Sequence, residues 1–145
     1  MNYWSIIAVA TIAGFLSAFQ AQFMSILDKG MGTQESVFIT YGSGGLIIGL
    51  LMLFMRGGNL SAWAEVPWYA YLSGLSGLAL VGGIGYAVSR LGVASAMTFF
   101  LVGQFALAVL MDHFGWLGAE TRPLNWTRVA GIVVLLAGTW LMVRE

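Results

Sequence analysis

Gln20 and Gln104 carry the chemistry that most needs explaining in this chain, because each sits inside a long apolar run. A side-chain amide there has no water to bond, and leaving it unpaired costs several kcal/mol. Each glutamine must therefore find protein, water or a ligand. On a helix turning about 100° per residue, Ala13, Ser17, Gln20 and Met24 share one stripe, while Gln22 points the opposite way. Gln104 shares a stripe with Met97, Phe100 and Ala108. Tyr41 and Ser43 lie in the second apolar run and Tyr86 in the third. Two roles are open to such groups. They join helices by hydrogen bonds worth about 1 kcal/mol, or they contact a substrate. For Ser17, Ser43 and Ser76 the joining role leads, and for Gln20 and Gln104 both stand. The residues that could bind a substrate are Gln20, Tyr41 and Gln104, with Ser17 and Tyr86 beside them.

Other chemistry lacks its residues. The chain has no cysteine, so there is no thiol nucleophile, thiolate metal site or disulfide. Asp112 and His113 have no further His or carboxylate at ligand spacing, so they read as an interfacial turn and no metal or other cofactor is expected. No Ser-His-Asp set, phosphate-binding loop or pair of catalytic carboxylates can be assembled, which argues against an enzyme. Exporters of organic cations usually keep an ionisable residue inside the membrane. None lies at mid-span here, and Glu35, at the start of the second run, is the nearest carboxylate.

The elements that position these residues follow from composition. Of 145 residues, 59% are hydrophobic and 8% charged, against about 25% charged in a soluble domain. Such a chain cannot cover a soluble surface. Apolar runs of about 18 residues or more read as membrane helices, and five such spans are expected, at about 3–27, 36–55, 68–89, 93–111 and 126–143. The reading is an all-α integral membrane protein, a single five-helix domain over residues 1–145. The first span has no basic segment before it, which predicts that it is retained and not cleaved as a signal peptide. Pro67 suits a helix start. Trp4, Trp63, Trp68, Trp116 and Trp126 fall near span ends, where an aromatic belt places them. Glycines crowd the second and third spans and let backbones approach closely. Gly82, Gly83 and Gly85 mark a close-packed or flexible stretch of the third.

Six Lys and Arg balance six Asp and Glu, so no basic patch invites nucleic acid. Five spans put Arg56, Arg122 and Arg128 on one side and Lys29, Arg90 and Arg144 on the other. Orientation follows the Lys/Arg bias of short loops, and here three face three. One reading is that hydrophobicity or a partner sets the orientation. The other is dual topology, in which opposite copies pair as an antiparallel dimer of ten spans, the inverted-repeat plan of many secondary transporters.

Several motifs now coincide: Gly14 to Gln20, Tyr41-Gly42-Ser43-Gly44, Pro67-Trp68, Gly74 and Gly77, Arg90-Leu91-Gly92, Gly103-Gln104, Asp112-His113-Phe114-Gly115, then Pro123, Gly131 and Gly138. In order and spacing the chain resembles the YdcZ-like family, the five-span branch of the bacterial drug/metabolite transporter (EamA-like) superfamily. The resemblance covers nearly the whole chain. It implies a transporter half in the bacterial inner membrane that works as a dimer, with single-gene members inserting in both orientations. The chain departs at Met24, where the family tends to have Asn, and at Tyr41, where Phe is usual.

The function expected is secondary transport, the export of a small metabolite or drug-like molecule by alternating access. The partners expected are membrane lipid, the substrate, and a second copy in opposite orientation or a paired homologue. A passive channel formed by the same dimer and a non-transporting membrane subunit are the alternatives.

Overall fold

Residues 2–55 and 58–144 are described in a computed structural model. Met1, Arg56, Gly57 and Glu145 lie outside the described residues, and so does the Arg56 charge counted above. The order is α1 (Tyr3–Met31), α2 (Thr33–Met55), α3 (Ser73–Leu91), α4 (Val93–Phe114) and α5 (Trp126–Val143), with short 3₁₀ turns at Leu60–Glu65, Trp68–Leu72 and Trp116–Gly118. Five helices are long and apolar enough to cross a membrane, the third being Trp68–Leu91 counted with its opening 3₁₀ turn. Pro67 stands just before that turn, and its carbonyl accepts the Ala70 N–H at 3.0 Å.

Several helices outrun the apolar segments. α1 continues past Leu27 through Asp28 to Met31, and α2 starts at Thr33 and not Ser36. At 1.5 Å per residue the 29 residues of α1 reach about 43 Å, more than the hydrocarbon core needs. Polar residues in the headgroup layer still gain helical hydrogen bonds, so the charge that ends a span does not end the helix. A backbone break does. Gly32 has φ +106°, outside the range L side chains readily adopt, and its N–H closes α1 on the Asp28 carbonyl at 3.0 Å. Gly115, at φ +65°, ends α4 in the left-handed conformation with its N–H on the Met111 carbonyl.

The chain forms two compact units, one ending at Arg90 and the other beginning at Leu91. In the first, α2 runs back along α1. Ser36 is 1% exposed, and its hydroxyl donates to the Met24 carbonyl at 3.1 Å, a bond between the two helices. Met24 is itself 2% exposed and faces Gly85 of α3. The buried positions of α3 are Val81, Gly85 and Val88. A methyl group built on Gly85 would lie 3.3 Å from Met24 Cε, and one on Gly82 would lie 3.2 Å from Val37 Cγ2. One on Gly83 meets nothing within 4 Å. The crowding expected of the three glycines therefore falls at Gly82 and Gly85, while Gly83 points away from it. Gly42, Gly44, Gly45 and Gly49 of α2 likewise meet no atom within 4 Å.

In the second unit α4 packs on α5. Asn125 caps α5 by accepting the Arg128 N–H at 2.9 Å. The Arg128 guanidinium reaches Asp112 at 3.3 Å, and the Arg122 N–H reaches the Asp112 carbonyl at 2.8 Å. The Thr98 hydroxyl lies 3.6 Å from Met142 Sδ.

Candidate functional site

Hydroxyls in the apolar stretches mostly satisfy themselves. Thr11 donates to the Ile7 carbonyl at 2.9 Å, Ser43 to Ile39 at 2.7 Å, Thr98 to Ala94 at 2.7 Å and Thr139 to Leu135 at 2.8 Å. Ser76 turns back to Ser73 at 3.0 Å. This is the local bonding open to Ser and Thr in a helix. Ser43 and Ser76 are thus spent on their own helices and do not join one helix to another. The buried hydroxyl that does join α1 to α2 belongs to Ser36, which sits where the second span was expected to begin. Gln and Tyr side chains cannot close such a bond on their own turn as easily. Among the described residues, Gln20, Tyr41 and Gln104 have no hydrogen-bond partner for their side chains.

Two of these three come together. Gln20 of α1 and Tyr41 of α2 line one cleft of about 300 Å³ with Thr40, Gly44, Gly45 and Val81. Gly44 and Gly45 leave open space where side chains would stand. Gly77 of α3 meets the Tyr41 hydroxyl so closely that a Cβ there would collide with it. The missing side chain at Gly77 therefore decides where the phenol rests. Ser17 lies one turn before Gln20 on α1, half-buried and outside the lining residues. Gln104 is an exposed residue of α4 in the second unit.

Tyr86 belongs to a different cluster. The Asp28 carboxylate, 5% exposed, accepts the Thr33 hydroxyl on Oδ1 at 2.5 Å and the Ser89 hydroxyl on Oδ2 at 2.7 Å. Arg90 approaches the same Oδ2 at 3.4 Å, donates to Ser89 Oγ at 2.9 Å and to the Tyr86 carbonyl at 3.0 Å, and lays its guanidinium 3.4 Å from the centre of the Tyr86 ring. This cluster ties the last turn of α1, the first of α2 and the last of α3 into one polar latch. A carboxylate has lone pairs enough to accept from all three. Sequence reading missed the latch, since Asp28 and Arg90 stand 62 positions apart. One signal was present: alternating spans put the first and third loops, and so both charges, on the same side.

Latch and cleft are in register. Gln20 precedes Asp28 by eight residues, Tyr41 follows Thr33 by eight, and Val81 precedes Ser89 by eight. Eight residues of helix rise about 12 Å, which sets the cleft near the middle of a core about 30 Å thick when the latch lies at its edge.

In the α4–α5 connection, the His113 imidazole accepts the Leu124 N–H on Nδ1 at 3.3 Å. Asp112 and His113 are therefore part of an ordered turn. Among the described residues no group of three or more His, Cys, Asp or Glu side chains could hold a metal ion.

Residues 5–141 match the family model described as "Putative inner membrane exporter, YdcZ". No curated protein and no protein of solved structure matches the chain. Five apolar helices and a family match over nearly the full length make this a multi-pass inner-membrane protein of a transporter family, not of an enzyme family. The chain belongs to the YdcZ family of inner-membrane exporters.

Proposed function

We propose that the protein is a secondary transporter that exports a small molecule by alternating access, working as an antiparallel dimer whose copies insert in opposite orientations. The observation that carries this reading is the cleft. Gln20 and Tyr41 present unspent hydrogen-bonding groups near mid-membrane, where transporters hold their substrates. The latch at the ends of α1, α2 and α3 supplies the closed side of the cycle, and breaking it would open that end. Gln104 of the other copy completes the site. The equal Lys and Arg counts on the two sides support the dimer, since nothing in them selects one orientation.

The topology is testable directly. A tag on the C-terminus is expected on both faces of the membrane. Two added lysines on one side should fix a single orientation and stop transport, and co-expressing the oppositely biased variants should restore it. A wild-type tag found on one face alone would contradict dual insertion. Saturable, gradient-coupled flux separates a transporter from a pore.

A further inference from the structure

The cleft also constrains the chemistry of what it takes, on the reading that it is the transport site. Its lining holds one amide, one phenol and one alcohol, from Gln20, Tyr41 and Thr40, and no carboxylate, ammonium or guanidinium. The charged residues described in the same unit, Asp28, Lys29, Glu35, Glu65 and Arg90, all lie in the terminal turns of helices or in the connection between α2 and α3. Asp28, the least exposed of them, is paired with Arg90, so each screens the other's field toward the cleft. An ion entering at this depth would lose its water and find no counter-charge. A neutral solute loses much less, and its polar edge meets two groups that each both donate and accept. The rest of the lining is Val81 and the bare backbone of Gly44 and Gly45, a surface for an apolar body. About 300 Å³ is the share of liquid taken by roughly ten water molecules.

We infer that the Gln20–Tyr41 cleft binds uncharged small molecules that carry an amide- or carbonyl-like hydrogen-bonding edge on a compact apolar body, and that it excludes organic cations and anions. Gly44 and Gly45 set the size limit, because they leave the floor of the cleft open.

Three molecules of nearly one shape test this: benzamide, which is neutral, benzamidinium, which is a cation, and benzoate, which is an anion. Binding to the purified full-length protein in detergent is measured by saturation-transfer NMR. Benzamide is expected to bind, and both ions to bind at least ~10-fold more weakly. Gly45→Val has room within the chain. It should melt like the parent yet lose benzamide binding, and Gln20→Ala should weaken it as well. If either ion binds as tightly as benzamide in a manner that depends on Gln20, the neutral class is overturned and the cleft survives as a site. If no probe binds, or if Gly45→Val and Gln20→Ala bind benzamide as the parent does, the inference falls together with the assignment of the cleft.

Discussion

Gly85→Leu is expected to be among the most damaging single substitutions in the first unit. Gly85 is buried on α3, and a Cβ there would already stand 3.3 Å from Met24 Cε, 3.4 Å from Met24 Cβ and 3.8 Å from the Met24 backbone carbon. Leucine adds three further carbons to that space. The Met24 Cβ and backbone cannot give way, because the residue is buried and its carbonyl accepts the Ser36 hydroxyl. Overpacking of this kind costs about 1–3 kcal/mol. Gly83→Leu is the matched control. It meets nothing within 4 Å and replaces a poor helix former, by about 1 kcal/mol, with a good one. Thermal melting in detergent should fall for Gly85→Leu and hold for Gly83→Leu. The reverse order would show that α3 does not pack on Met24.

Asp28→Ala is the second large effect. It removes the acceptor shared by Thr33, Ser89 and Arg90, so three helix ends lose their common tie. A hydrogen bond to a charged group is worth about 1.5–3 kcal/mol. The Arg90 contribution falls at the low end, since that side chain is 51% exposed and can turn to water. Asp28→Asn keeps an acceptor for one hydroxyl and should fall between wild type and Asp28→Ala in melting temperature. On the proposed alternating-access mechanism, flux should change in both variants, because an end that no longer closes cannot complete the cycle. If Asp28→Ala matches the parent in both melting and flux, the latch has no role.

The five helices were legible because each apolar run far exceeds what a strand or a buried soluble helix needs. Their ends were less legible, because Asp28 to Met31 and Thr33 to Glu35 continue helices through the headgroup layer until Gly32 breaks the backbone. Gln20 and Tyr41 stood out as polar groups in apolar surroundings, and the two line one cleft. Tyr86 stood out for the same reason, but the guanidinium of Arg90 claims its ring. Ser36 gave no signal at a span boundary, since its burial depends on how α2 returns along α1. Spacing cannot show such a contact, nor the pairing of Asp28 with Arg90. Met24 itself has a packing account, because the thioether side chain fills the space that Gly85 leaves.

A transport site at Gln20 and Tyr41 requires that water reach both in the middle of the membrane, and the natural absence of cysteine makes that measurable without further engineering. Gln20→Cys, Tyr41→Cys and, as a lipid-facing control, Phe15→Cys are placed singly in the chain and treated in membranes with a charged methanethiosulfonate reagent. Gln20→Cys and Tyr41→Cys are expected to react many times faster than Phe15→Cys, and small uncharged ligands of the cleft to slow both. Reaction of Gln20→Cys and Tyr41→Cys no faster than that of Phe15→Cys would mean that the two side chains face lipid or closed protein, and would contradict the transport site.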